Sequence, residues 1–184
     1  MPVSLKNTGG IFLAPALMVG LAALALYLAG LVPAHLQPSV TGIKEYARLE
    51  AAEAEVGFAI AIPAYFPSYL AWPPARILGQ REPAPTAQLF FRDAGQSTEA
   101  LYLAQARSDH LEIPLTMPWL KTVRQETPVD INGNGGVLVV GITAGGQPVN
   151  GVRWQAGGFY FVAVTTHPAR ELLTMVRSMH LPPG

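Results

Sequence analysis

The run DINGNG at positions 130–135 has the residue types and spacing of the first half of a calcium-binding EF-hand loop. Such a loop needs a bidentate carboxylate at its twelfth position. That position holds Gly141, which lies inside a valine-rich stretch typical of a strand. Asn and Gly also tolerate positive φ in tight turns, so the same residues fit a hairpin. We expect a turn here, with calcium binding as the alternative.

Other residue types that support chemistry lack the spacing that a site requires. The histidines form no i, i+4 pair and no metal-ligand motif; they are His35, His110, His167 and His180. The absence of cysteine excludes disulfides, thiolate metal sites and thiol nucleophiles. No serine lies in G-x-S-x-G, and the glycines form no nucleotide-binding loop. We predict a protein that is not an enzyme, with no catalytic, cofactor or metal residues. A histidine or carboxylate site assembled only by the fold is left open.

The overall charge also limits the classes of partner. The chain has 12 Lys and Arg against 12 Asp and Glu, so it has no basic field that would attract nucleic acid. Charged residues make up 13% of the sequence and hydrophobic residues 50%. Such a composition indicates that another molecule covers part of the surface. We therefore predict no nucleic-acid partner.

The N-terminal region predicts a membrane anchor. Residues 11–32 carry no charge, and a helix of this length crosses a hydrocarbon core of roughly 30 Å. A cleaved signal peptide is the alternative, but its apolar core would be much shorter. We predict an N-terminal tail at 1–10, a transmembrane helix at 11–36 and one domain at 37–184.

One face of the predicted transmembrane helix carries small residues. Their spacings of 4, 3, 4 and 3 place five side chains on one stripe, namely Ala16, Gly20, Ala23, Tyr27 and Gly30. Small residues let a second helix approach closely, which favours packing between membrane helices. The alternative is that an Ala- and Gly-rich composition produces the stripe by chance. The stripe predicts a partner subunit in the membrane.

The remaining chain reads as one α+β domain. Residues 43–56 are rich in Ala and Glu and predict a helix that ends at Gly57, followed by a strand at 58–63. Residues 63–85 are proline-rich and predict extended loop and sheet edge. Alternating apolar runs between Gly-containing turns predict six strands, at 87–92, 100–107, 122–129, 136–143, 149–155 and 158–165. A helix is expected at 168–179. The predicted fold is an N-terminal transmembrane helix followed by a curved antiparallel sheet with helices packed on one face.

A segment broken by prolines lies between the second and third of these six strands. It presents six large apolar side chains: Leu111, Ile113, Leu115, Met117, Trp119 and Leu120. One interpretation is a lid over the domain's own core. The other is a docking loop that binds another subunit or the membrane interface, with Trp119 as an anchor.

Several short strings resemble a known but poorly characterised family. They are VGFAIAIPAYFPSYL at 56–70, VDING at 129–133, WQAGGFY at 154–160 and the terminal helix ending at Met179. Together they are similar, over about residues 49–179, to a bacterial domain found on membrane-tethered, lipoprotein-like and anti-sigma-factor-like proteins. The shared motifs are structural and carry no catalytic residues. The resemblance implies an extracytoplasmic sensing or interaction module, with the N-terminus cytoplasmic.

These observations lead to one functional expectation and one alternative. We expect a non-catalytic, single-pass protein of the bacterial cell membrane, with its domain on the extracytoplasmic side. It would act as an accessory or structural subunit of a larger membrane complex, for energy conversion or transport, and contact other subunits and the lipid bilayer. The alternative is a tethered sensor or carrier for an apolar ligand or envelope signal. A carrier needs a continuous apolar pocket of several hundred Å³ between sheet and helices.

Overall fold

The computed structural model describes residues 42–107 and 115–180, which form an eight-stranded sheet with two short helices. The strands are β1 (Lys44–Tyr46), β2 (Arg76–Gln80), β3 (Thr86–Arg92), β4 (Glu99–Arg107), β5 (Thr122–Ile131), β6 (Asn134–Ile142), β7 (Pro148–Ala156) and β8 (Phe159–Thr165). The helices are α1 (Leu49–Val56), which precedes β2, and α2 (Ala169–Arg177), which follows β8.

All neighbouring strands are antiparallel, in the order β1-β2-β3-β4-β8-β7-β6-β5. The sheet therefore consists of two meanders, β1–β4 and β5–β8, which join where β4 pairs with β8. Tight turns make this order possible, because short connections favour antiparallel neighbours. The turn between β5 and β6 shows the local cause. Asn132 and Gly133 have φ of 54° and 83°, as a two-residue type I′ hairpin requires.

Both helices pack on the same face of the sheet. Ala52 and Val56 of α1 and Leu172 and Val176 of α2 belong to one buried cluster with side chains from the central strands. Their spacing of four residues places each pair on one side of its helix. Helix α1 ends where predicted, because Gly57 takes the left-handed conformation at φ 76° and donates its N–H to the carbonyl of Glu53.

The opposite face of the sheet is covered by a loop. Phe90, Tyr102, Val149 and Val162 form a second buried cluster there. Residues 115–120 lie against it, with their large side chains partly buried. The sheet is therefore covered by helices on one side and by this loop on the other.

The predicted fold class is wrong. The structure is mostly antiparallel sheet, and its two helices have only 8 and 9 residues. In neither described range is there a helix whose length and apolar character would let it cross a membrane. The segment predicted to do so, residues 11–36, lies outside the described residues. The sheet dominates because Gly-containing turns separate β3 from β4 and the apolar runs from β5 to β8, which leaves strands rather than long helices.

Three local predictions also need correction. The helix predicted at 43–56 starts only at Leu49, because residues Lys44–Tyr46 pair with β2 as an edge strand. The strand predicted at 58–63 lies outside the ladders of the sheet apart from a single bridge at Pro63. Conversely, β2 lies within the proline-rich stretch predicted to be loop and sheet edge.

Candidate functional site

A polar cleft of about 720 Å³ opens at one end of the sheet. The ends of β3, β6 and β8 and the starts of β4 and β7 meet there, because the central strands are antiparallel. We call it the polar cleft, and the residues that line it are Asp93, Gln96, Thr98, Glu99, Trp119, Thr143, Ala144, Gly145, Gln147, Pro148 and Thr166.

Two hydrogen-bonded turns form the walls of the polar cleft. In the turn between β6 and β7, the backbone N–H of Thr143 donates to the carbonyl of Gln147 at 2.9 Å, and the N–H of Gln147 donates to Oγ1 of Thr143 at 3.2 Å. In the turn between β3 and β4, the N–H of Asp93 donates to the carbonyl of Thr98 at 3.2 Å. These bonds fix the backbone that carries the polar side chains.

The acidic side chains of the polar cleft already have partners. Oδ1 of Asp93 lies 2.7 Å from Nε2 of His167, and both side chains are partly buried. The ring of Tyr69 packs against the imidazole of His167, with 4.1 Å between ring centroids. Oε1 of Glu99 accepts a hydrogen bond of 3.1 Å from Nη1 of Arg76. Both carboxylates therefore have hydrogen-bonding partners within the protein.

Tyr69 behind the polar cleft remains protonated at neutral pH. Burial raises the pKa of its hydroxyl to about 12, and the negative charge of Glu171 adds to the shift, followed by Tyr65 and Asp93. The phenol is therefore a neutral hydrogen-bonding group and not a base under physiological conditions.

Trp119 belongs both to the polar cleft and to the covering loop. Its φ is 67°, a left-handed value that is rare for a bulky residue. Such a conformation persists where the surroundings impose it. Here its side chain packs against the second buried cluster, while part of it lines the cleft.

The other described residues of the predicted docking loop contact the domain itself. Leu115, Met117 and Leu120 are partly buried against the sheet, whereas Leu111 and Ile113 lie outside the described residues. Met117 lies over Gly151, where an added β-carbon would come within 2.6 Å of its sulfur. The described part of the loop thus covers the domain's own sheet, as a lid does.

The remaining predicted residues fall into two groups. The helix-packing stripe lies outside the described residues: Ala16, Gly20, Ala23, Tyr27 and Gly30. The run at 130–135 forms the hairpin turn, in which Oδ1 of Asp130 accepts a bond of 3.2 Å from the N–H of Gly133. Among the described residues, no group of three or more His, Cys, Asp or Glu is placed to hold a metal ion.

A second surface feature lies in the proline-rich segment before β2. Trp72 and Tyr65 are 55% and 42% exposed and flank Phe66. With Ile62 and Pro63 they form what we call the aromatic patch, which contains a groove of about 280 Å³ lined by Ile62, Pro63, Phe66 and Trp72. Sequence reasoning missed this patch, although the string AYFPSYLAWPP at 64–74 signals it through its aromatic and proline content.

The aromatic patch is anchored to the core. The ring of Phe66 packs against that of the fully buried Phe91 at 5.0 Å and against that of Trp72 at 5.9 Å. The Tyr65 hydroxyl donates to Oε2 of Glu171 at 3.2 Å. These contacts hold the exposed rings in place before any partner binds.

The space between sheet and helices is filled. A cavity lined by Ile60, Leu103, Trp154, Phe161 and their neighbours measures only about 10 Å³. This is room for one water molecule at most. An acyl chain would need a pocket of several hundred Å³. The described core therefore gives no support to a carrier of apolar ligands.

Comparison with known proteins found no matching family model, no similar curated protein and no similar solved structure. The resemblance of residues 49–179 to an extracytoplasmic domain family therefore remains a prediction from the sequence.

Proposed function

We propose that this chain is a non-catalytic accessory subunit that binds another protein through the aromatic patch. The observation that carries the proposal is the combination of exposure and rigidity at Trp72. More than half of this side chain is exposed, yet its ring stacks on the buried Phe91 with 6.1 Å between centroids.

The free energy gained by burying exposed aromatic surface favours a binding role for Trp72. Exposed aromatic surface is costly to hydrate, and its burial contributes roughly 25 cal/mol for each Å² removed from water. Trp and Tyr are enriched among residues whose truncation weakens interfaces most. Because Phe66 and Phe91 already restrain the Trp72 ring, binding would immobilise little additional side chain.

The chemistry of the groove defines the partner. Its lining is aromatic and aliphatic, and it has room for a prolyl ring or one large apolar side chain. Grooves lined by aromatic side chains bind extended proline-containing segments, because such segments lose little conformational entropy on binding. The proposed partner is therefore a protein that presents an extended, proline-containing segment to Pro63, Phe66 and Trp72.

Site-directed photo-crosslinking of the full chain tests this proposal. The protein has no cysteine, so Ala64→Cys creates a single attachment point for a thiol-reactive photo-crosslinker beside the aromatic patch. Val123→Cys creates a matched attachment point on the exposed edge strand β5. We expect a specific adduct from position 64 and not from position 123. Its cross-linked peptide, identified by mass spectrometry, should contain proline.

Truncation of the Trp72 side chain provides the second measurement. Trp72→Ala, introduced into the Ala64→Cys background, should weaken partner binding by about 2 kcal/mol, close to thirtyfold. Thermal unfolding checks that the variant is folded, and Tyr65→Ala provides an independent truncation. Adducts of equal yield at both positions, or an adduct unaffected by both truncations, would rule the proposal out.

A further inference from the structure

We propose that the polar cleft binds a small, uncharged, polyhydroxylated ligand, namely a carbohydrate ring or a short oligosaccharide. This inference is independent of the aromatic patch, which involves different residues and a different class of ligand. It rests on the volume of the cleft, the charges around it, its hydrogen-bonding groups and the position of Trp119.

The volume suits a small molecule. Ligand sites typically enclose about 300–1,000 Å³, and the polar cleft has about 720 Å³. It is open at the surface, and its walls are the hydrogen-bonded turns at 93–99 and 143–148. A ligand can therefore enter without the opening of a strand.

The bonding of the two carboxylates and the composition of the lining disfavour an ionic ligand. Asp93 is paired with His167, and Glu99 is paired with Arg76. A cation would have to compete with these partners for the carboxylates. The described lining residues include no Lys or Arg, so a phosphate or carboxylate would find no opposite charge there. A neutral ligand avoids the cost of bringing an unpaired charge into the cleft.

The polar groups match hydroxyls, which both donate and accept hydrogen bonds. The amides of Gln96 and Gln147 offer donors and acceptors, and the hydroxyl of Thr166 can act as either. The hydroxyl of Thr98 donates to Oε1 of Gln96 at 3.4 Å and can still accept a bond. The carboxylate oxygens of Asp93 and Glu99 are additional acceptors. A polyol or sugar ring presents several hydroxyls at spacings that such a wall can satisfy together.

Trp119 supplies the apolar contact that a sugar ring also needs. One face of a pyranose carries mainly C–H groups, which pack against an aromatic ring, while the indole N–H remains a hydrogen-bond donor. The loop that holds Trp119 is fixed by Met117 and Leu120, which pack into the sheet. The indole is therefore positioned before the ligand arrives.

Ligand titration of the whole chain, labelled with fluorotryptophan, tests the proposal. The three tryptophans are Trp72, Trp119 and Trp154, and their ¹⁹F signals are assigned from single Trp→Phe variants. The probes are the neutral disaccharides maltose, cellobiose and trehalose, with inorganic phosphate and putrescine as charged comparisons. We expect at least one disaccharide to shift the Trp119 signal in a saturable manner and to leave the Trp72 and Trp154 signals in place.

Matched variants show whether the disaccharide binds in the polar cleft. Gln147→Ala and Trp119→Leu, which retains apolar packing of the loop, should each weaken disaccharide binding by about tenfold or more. Binding to Trp119→Leu is followed by calorimetry, since its label is lost. Gln155→Ala, at an exposed position of β7, should leave the affinity unchanged. The proposal is overturned if no disaccharide shifts the Trp119 signal, if phosphate or putrescine binds more tightly, or if all three variants bind alike.

Discussion

The amide oxygen of Gln105 accepts a hydrogen bond of 2.8 Å from the backbone N–H of Ala61, 44 residues earlier in the chain. Its Nε2 donates to the carbonyl of Ala59 at 3.3 Å. Gln105 is 3% exposed, so one buried side chain gives the segment after α1 the hydrogen bonds that a neighbouring strand would otherwise provide.

Replacement of Gln105 should therefore destabilise the domain. Gln105→Met keeps the approximate volume but leaves the N–H of Ala61 without its partner in a buried environment. We expect a loss of about 1–3 kcal/mol in the free energy of unfolding, measured by urea denaturation. Gln155→Met, at an exposed position, is the control and should change stability by less than about 0.5 kcal/mol. Equal stability of the two variants would contradict the assigned role of Gln105.

This side chain also explains why the segment at 58–63, predicted to be a strand, lies outside the sheet. The large residues of the alternation, Phe58, Ile60 and Ile62, all pack into or against the buried core. A side chain 44 residues away provides the pairing, however, so no second strand forms a ladder with the segment. Alternation in a sequence reports burial, and it does not identify the hydrogen-bonding partner.

The six strands predicted from residue 87 onwards all appear in the sheet, with bounds that shift by up to two residues. Local patterns carried that information, because each strand is flanked by turn residues such as Asn132 and Gly133. Strand β2 was missed because prolines surround it on both sides.

The polar cleft could not be predicted, since its residues come from four separate parts of the chain. Only the antiparallel topology brings Asp93, Trp119 and Gln147 to one end of the sheet.

Two glycines provide the space in which the covering loop packs. An added β-carbon at Gly151 would lie 2.6 Å from Sδ and 3.3 Å from Cε of Met117, at the flexible end of that side chain. At Gly141 it would overlap both the Leu120 side chain and the backbone carbonyl of Thr122, which cannot move independently.

Alanine substitutions should therefore differ in a defined order. Gly151→Ala should cost about 1 kcal/mol, because Met117 can rotate away, and Gly141→Ala about 3 kcal/mol, because backbone must shift. Gly135 faces open space, so Gly135→Ala should be neutral or stabilising by about 0.5 kcal/mol. Thermal and chemical unfolding measure all three variants. An inverted order for positions 135 and 151 would show that the loop does not pack as described, because the close contacts of an added β-carbon at position 151 are with Met117.

Tyr69 should make the domain sensitive to alkaline pH. Its pKa is about 12 in the folded state and 10 as the ordinary value, so folding favours the protonated phenol. The resulting stabilisation is fully present below pH 10 and is lost as the pH rises from 10 to 12. Tyr69→Phe should make the decline in stability over this interval shallower. Because burial also raises the pKa of Tyr102, some decline should remain.

Unfolding free energies of wild type and Tyr69→Phe, measured at neutral pH and at intervals between pH 10 and 12, test this expectation. The neutral value serves as the internal control, because it includes any packing change that the substitution causes. The ultraviolet absorbance of tyrosinate follows ionisation directly. Parallel stability curves for the two proteins above pH 10 would show that Tyr69 ionises without opposing the fold.

The exposed edge of β5 is protected against pairing with another chain. In a ladder closed by the turn between Ile131 and Asn134, alternate residues bond to β6, so positions 128 and 130 direct their backbone groups outward. Pro128 has no N–H to offer, and the carbonyl of Asp130 accepts bonds of 3.1 and 2.9 Å from Nε and Nη2 of Arg177. An added strand would therefore find one donor missing at position 128 and one acceptor already occupied at position 130.

Loss of this protection should cause self-association. Pro128→Val restores an outward N–H, and Arg177→Ala frees the carbonyl of Asp130, so the double variant should form dimers or larger species in sedimentation velocity at increasing concentration. Thr127→Val is the matched control, because it introduces the same β-branched side chain at a position whose N–H bonds to β6. A double variant that sediments like Thr127→Val at every concentration would show that side-chain charge, and not the backbone edge, keeps β5 unpaired.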